Sequence, residues 1–503
     1  MSSNDSDQNE LDQNQAPVID ALAEHQKLGR YGFTPPAHRQ GRGVDPRVLE
    51  VLGEQSFKAD VVASSGLDDR KSSNGYLSTA EELLAAAVGA DKAFFSTCGS
   101  SLSVKAAMLA VTRGEGELLI SRDAHKSVTS GLVLSGLQPR WIKPRWDNEL
   151  KMSHPPAPET VEEMWQRYPD ASAALIVSPT PYGTCADLEA IVEICHKRGK
   201  PLIVDEAWGA QLPFHPDTPT WAMDAGADIC VVSVHKMGLG FEQGSIFHLH
   251  GDLVDPVRLA QCADVLSTTS ANTLIYGAMD GWRRQMVQEG KGMIDKALNL
   301  ARRVRKDIEG VPGLHVLEDE LVREEASHDL DILHVLIDVS QLGISGYQAT
   351  DWLRENCRID LGTNDHRRIE AVISVSDDDD TAELLLNGLN ALADAAPSLP
   401  RPPAVVIPDE KDLFLETVML PRDAFFGPVE VIPVEEAPGR IAAEMATPYP
   451  PGVPLLLPGE RINQAAIDYL RSGVEAGMVL PDPADPTLKT IRVVREEPHK
   501  PKQ

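Results

Sequence analysis

Four short segments carry side chains whose chemistry is worth following. The segment SVHKMGLG (233–240) places Lys236 directly after the apolar run DICVV, at what reads as the end of a buried strand. A lysine amine there can form a Schiff base with an aldehyde, and open α/β sheets bind their ligands at strand ends. LIVDEAWGA (202–210) ends a second apolar run with Asp205 and sets the small Ala207 two residues on. Such an acid can keep a pyridinium nitrogen protonated, while the small side chain leaves room against a ring. STCGSSLSVKAA (96–107) joins an apolar strand to a helix through Gly99, Ser100 and Ser101, a turn suited to a phosphate monoester. SRDAHKSV (121–128) follows the run ELLIS with His125, an imidazole able to stack on a ring. Taken singly, each has a plain structural use: a solvated lysine, an N-cap at Asp205, turn residues at 99–101, a structural histidine.

The elements around these residues alternate. AALIVS (173–178) reads as a buried strand, Leu188, Ile191, Val192 and Cys195 recur at helical spacing, and PLIVD (201–205) reads as the next strand, a βαβ unit. Ser78 and Glu81 predict a capping box ahead of EELLAAAVGA, a helix leading into the strand AFFS (93–96). A helical pattern over Met286 to Ile308 stops at Gly310, and LHVLIDV is predicted as a strand of a smaller unit. The acidic run Asp377 to Asp380 reads as the capped, dipole-favoured start of a helix. The expected organisation is a flexible tail and lead-in over 1–27, the first 16 or so residues polar and unordered, then a large α/β domain over 28–310. A small α/β subdomain over 311–395, a proline-rich linker over 396–410 and a C-terminal module over 411–503 complete it. In this order and on these strand ends, the four segments suit pyridoxal 5'-phosphate (PLP).

Bulk properties narrow the partners. With 76 acidic against 47 basic residues, the net charge of −29 repels nucleic acid and anionic membranes and mildly favours cationic small molecules. The six cysteines, at 98, 185, 195, 230, 262 and 357, form neither CxxC pairs nor a disulfide framework, and no zinc-type spacing accompanies them. With no basic and apolar leader and no membrane-length apolar run, a cytoplasmic protein is expected.

From about residue 30 to 495 the chain resembles the short form of the Orn/Lys/Arg decarboxylases, fold-type-I (aspartate aminotransferase-like) PLP enzymes. FTPPAHRQGRG (33–43), FKADVVASSGLDD (57–69), SPTPYGTCADL (178–188) and SVHK resemble family motifs. In the C-terminal module so do LPRDAFFGPVE (420–430), EEAPGRIAAEMATPYPPGVPLLLPGE (435–460) and DPTLKTIRVV (485–494). The resemblance implies a mostly parallel seven-stranded sheet and decarboxylation of a basic amino acid in polyamine-type metabolism, with arginine or lysine favoured and ornithine open. It implies Lys236 as the cofactor lysine, Asp205 at the pyridine nitrogen and Ala207 with His125 on the two ring faces. Gly99, Ser100, Ser101, Ser233 and His235 would surround the phosphate, with Thr180 near the ring. Lys236 or His235 would return the proton to Cα. Glu435 and Glu436 are candidates for the cationic end of the substrate, and at least a homodimer is implied, with a decamer not expected. Trp208, Glu242 and RKSSNGY (70–76) depart from the family pattern and leave transamination, oxidative deamination or a non-catalytic regulatory role as alternatives.

Overall fold

The computed structural model describes residues 11–62, 67, 74–112 and 115–496; residues 1–10 of the predicted tail and 70–73 of the departing segment lie outside them. The large domain is built on seven strands: β1 (Lys92–Ser96), β2 (Glu117–Ser121), β3 (Gln138–Ile142), β4 (Ala174–Val177), β5 (Leu202–Asp205), β6 (Ile229–Ser233) and β7 (Ser245–Leu249). They lie in the order β1-β7-β6-β5-β4-β2-β3, and only β7 runs against the rest. Strands β4, β5 and β6 are buried throughout, which is why they read as unbroken apolar runs rather than as alternation. Helices cover both faces. Helices α2 (Tyr76–Ala87), α5 (Leu188–His196) and α7 (Thr273–Ile308) pack into one apolar cluster, and α3 (Ser100–Ala110) and α4 (Lys126–Ser135) into the other. The C-terminal ends of β1, β2, β4, β5 and β6 therefore open on one edge of the sheet.

Three local expectations change. Ser78 and Glu81 form no capping box: α2 starts at Tyr76 behind Gly75 (φ +79°), and Ser78 Oγ donates to the Gly75 carbonyl. Glu81 is buried instead, its carboxylate accepting the Phe95 N–H at 2.8 Å and so tying α2 to β1. Helix α7 begins at Thr273, well before Met286, passing through Gly277, where the side chains of Ile19 and Leu22 come within about 3 Å of the space a Cβ would take. Nor do residues 11–16 behave as a loose tail. Arg283 and Asp280, a buried pair on α7, need further partners; Arg283 donates to the Gln13 and Gln15 carbonyls and Asp280 accepts the Val18 N–H at 2.8 Å. Those bonds seat helix α1 (Pro17–Lys27) on α7.

Beyond α7, β8 (His315–Val316), β9 (His334–Asp338) and β10 (Arg368–Val372) form an antiparallel sheet with α8 (Gly346–Cys357) and α9 (Asp379–Ala395). Asp378 caps α9, accepting from the Asp380 and Thr381 N–H groups. The C-terminal module carries its own apolar cluster around the pair β11 (Val429–Pro433) and β12 (Thr490–Val494) and helix α10 (Gln464–Ala476). Arg122 fastens it to the large domain by bonds to the Pro454 and Leu455 carbonyls and to Glu460. Among the described residues no helix is long and apolar enough to cross a membrane.

Candidate active site

Strand β6 runs straight into a single helical turn, α6 (Val234–Met237), which carries Lys236 beyond the sheet edge. The Val234 N–H donates to the Gly244 carbonyl at 2.9 Å and pins that turn against β7. Lys236 Nζ lies 4.3 Å from the centre of the Trp208 ring. Burial lowers the lysine pKa, opposed by the attraction of Asp205 and Glu370.

Asp205 closes β5 and is 3% exposed. Its Oδ1 is buried with no hydrogen-bond partner among the described residues, and burial pushes the carboxyl up to about 6, against the pull of Lys236 and the Ala207 N–H. A buried carboxylate oxygen left without a donor is costly and fits a ligand that brings one.

At the end of β1 the chain turns through Gly99 (φ +74°) into α3. Only glycine adopts that conformation without strain. The Gly99 N–H donates to the Gln243 carbonyl at 2.9 Å, and the Ser233 hydroxyl to Ser100 Oγ at 2.8 Å, so two strand ends are stitched at a helix N-terminus. Partial positive charge and hydroxyls together suit a phosphate.

His125 is the N-cap of α4, its Nδ1 accepting the Ser127 N–H at 3.2 Å. Burial, then Lys236 and Lys126, lower its pKa to about 4, leaving a neutral ring. The loop at Tyr449–Gly452 of the C-terminal module closes over it, and a Cβ at Gly452 would sit 3.0 Å from the imidazole.

One cavity of about 540 Å³ collects Gly99, Ser100, Ser101, His125, Asp205, Ala207, Ser233, His235 and Lys236 along its walls. That volume is ordinary for a cofactor with a small substrate. His235 reaches it with a buried Nδ1 that has no hydrogen-bond partner among the described residues, and burial lowers its pKa. Trp208 and Glu242 also line this cavity.

Thr180 does not. Its hydroxyl pairs with Thr184 Oγ1 at 2.6 Å and accepts the Tyr182 N–H, so it serves the turn after β4 and faces an adjoining cavity of about 180 Å³. Glu435 and Glu436 are exposed on a 3₁₀ turn whose buried member is Val434, and Glu435 pairs with Arg471 at 3.1 Å. They line neither cavity.

Several wall residues escape the sequence reading. Asp123 sits two residues ahead of His125 in a segment already singled out, where an ionisable group at a strand end was the available signal. Thr363 and Gly362 come from the small subdomain, held by Glu370, which accepts the Thr363 N–H at 3.0 Å and pairs with buried His334. Burial lowers the His334 pKa, but attraction and hydrogen bonding to Glu370, with attraction to Asp331, together outweigh it and leave the imidazole pKa raised. The His334 ring meets Trp208 edge-on, 5.1 Å between centres. Residues as far apart in the chain as 208, 334 and 370 leave no local signal.

The model of the Orn/Lys/Arg decarboxylase major domain matches residues 16–335, and that of the Orn/Lys/Arg decarboxylase C-terminal domain matches residues 409–482. An arginine decarboxylase of Halalkalibacterium halodurans is 35% identical over 487 residues, covering 96% of this chain and 98% of its own. An arginine decarboxylase of Bacillus anthracis is 35% identical over 493 residues, covering 97% and 98%. Among solved structures, lysine decarboxylase A from Pseudomonas aeruginosa superposes with a TM-score of 0.80 at 21% identity, covering 97% of this chain and 81% of that one, a likeness of fold.

Proposed function

This chain belongs to the Orn/Lys/Arg decarboxylase family, and from that premise we propose that it uses PLP on Lys236 to decarboxylate a basic L-amino acid, arginine before lysine or ornithine. The observation that carries the reading is the meeting of Lys236, the unpartnered Asp205 oxygen and the Ser100–Ser233 pair in one cavity. When bound, the cofactor supplies an electron sink for the pair released as the carboxylate leaves.

The chain's own residues do the rest. Burial of Lys236 raises the share of unprotonated amine, the form that attacks an aldehyde. Asp205 Oδ1 would accept a hydrogen bond from the pyridinium N–H and so keep that nitrogen protonated. Ser100, Ser101, Ser233 and the Gly99 turn would take the phosphate, with His235 beside them. His125 and Ala207 would bracket the ring, the neutral imidazole adding no charge to compete with the pyridinium. Lys236 or His235 returns a proton to Cα. Arginine is preferred because the relatives similar over nearly the whole chain carry that name, and the product would be a polyamine-type amine.

We also assign the protein at least a homodimer, as membership of the Orn/Lys/Arg decarboxylase family implies, and a reducing, cytoplasmic setting, supported by six free cysteines. The test incubates the PLP-loaded protein with arginine, lysine and ornithine and measures carbon dioxide, amine and keto acid together. Equal amounts of carbon dioxide and amine are expected; keto acid without carbon dioxide overturns the proposal.

A further inference from the structure

Asp123 stands where the two cavities meet. It lines the one around Lys236 and the adjoining one, and Pro181, Pro450, Pro451 and Val453 are likewise common to both, so the two spaces share a wall. Asp123 as a residue is 9% exposed. Ser121 donates to its Oδ1, whereas its Oδ2 is buried with no partner among the described residues. An orphaned buried acceptor costs stability, and although Glu206, Glu460 and Asp482 also carry one, only Asp123 and Asp205 among these carboxylates line the cavity around Lys236.

Neither Arg122 nor Arg368 supplies the missing partner. Arg122, next in the chain, spends its guanidinium on the Pro454 and Leu455 carbonyls and on Glu460. Arg368 is committed to Asp365 at 2.8 Å. The adjoining cavity is lined by Trp146, Tyr182, Tyr347, Phe414 and Tyr469, with Lys151 also on its wall; Lys143 lies over Phe414 and Arg368 over Tyr182, which leaves Trp146, Tyr347 and Tyr469 as aromatic side chains for an organic cation. Burial pushes the Asp123 carboxyl up to about 6, so it is ionised at neutral pH and is stabilised by a cation brought alongside.

We propose that Asp123 recognises the cationic end of the substrate, whose side chain runs from Lys236 past Asp123 toward the aromatic cavity. This rests on the reading of the protein as a basic amino-acid decarboxylase and names the residue that selects for charge. A partnerless carboxylate oxygen would be met by a guanidinium or ammonium N–H, and an uncharged isostere would leave it bare.

The experiment compares wild type with Asp123→Asn, which keeps the size and the Ser121 bond. On the PLP-loaded protein, kcat and KM are measured for arginine and for its uncharged isostere citrulline, and binding of each is followed through the cofactor's visible absorbance. Wild type should favour arginine by roughly a hundredfold, and the variant should raise KM for arginine by roughly thirtyfold while leaving citrulline nearly unchanged. Equal losses on both compounds, or no rise in KM, overturn the proposal. Wild type that binds arginine in preference to citrulline but releases no carbon dioxide overturns the decarboxylase reading alone, and the binding comparison still judges Asp123. Should Asp123→Asn fail to fold, Asp123→Glu carries the test: moving the charge forward by one methylene should shift preference toward the shorter ornithine, and an unchanged order among ornithine, lysine and arginine overturns the proposal.

Discussion

The two cavities that meet at Asp123 are built by different means. The larger rests on the ends of β1, β2, β5 and β6, each delivered by a short apolar run that ends in a polar residue, so its chemistry is local to a few segments. The smaller is assembled from the turn after β4, from α8, from the approach to β10 and from the C-terminal module, segments separated by up to three hundred residues. Buried strands hold the first rigid. The second depends on how the C-terminal module sits, chiefly on the Arg122 bonds and the Lys126–Asp482 pair at 2.9 Å. Chemistry common to a reaction can thus be kept on the sheet, while selection among substrates is left to closure by another module.

The sharpest break of this contrast is Lys236→Ala, which removes the amine without disturbing the second cavity. Turnover should fall by roughly a thousandfold or more, with loss of the visible band of the lysine-bound cofactor. Next is Asp205→Asn, with kcat expected to fall on the order of a hundredfold. The same change has a stability signature. The folded carboxyl titrates near 6 against a reference of 3.8, so the protonated form is the one that folding favours. The stabilisation is full below about 3.8 and lost as pH rises through about 6. Cofactor-free Asp205→Asn should therefore exceed wild type by roughly 3 kcal/mol at neutral pH, the gap closing as pH falls, in denaturant titrations across pH. A gap that grows toward acid would break the assignment of Asp205 as a strained, waiting carboxylate.

Legibility in the sequence follows the same division. Lys236, Asp205, Ser233 and His125 could be picked out because strand-end positions are marked by the apolar runs before them. The failures come from tertiary demand. Glu81 fits a capping pattern by spacing, yet the Phe95 N–H at the edge of the sheet claims it. Thr180 has the right neighbourhood but spends its hydroxyl on Thr184. The Glu370 and His334 pairing joins β9 and β10 side by side, a register set by folding and not by either segment. Gly452 lay within recognised family text, but its role over His125 arises only when the Lys126 N–H reaches its carbonyl at 3.0 Å.

Gly452→Ala probes that closure. At φ +89° any side chain is strained, and the new methyl would press on the imidazole and on Tyr449. Stability should drop by about 1 kcal/mol and kcat/KM by roughly tenfold. Loss of stability with unchanged kcat/KM would mean that the loop is a lid of no consequence to the ring site.

The smallest effect expected is that of Trp208→Leu, and it tests whether the two regions are coupled through the indole. Its ring lies 4.3 Å from Lys236 Nζ on one side and meets His334, the partner of Glu370, on the other. The indole face stabilises the ammonium by about 1 kcal/mol, partly offsetting the burial that favours the free amine. Removing it lowers the lysine pKa further, so the rate of cofactor capture by the cofactor-free protein should reach its plateau at lower pH than in wild type. A Leu variant with an unshifted profile would mean that Trp208 only fills space and that Lys236 is tuned by burial and by the carboxylates Asp205 and Glu370 alone.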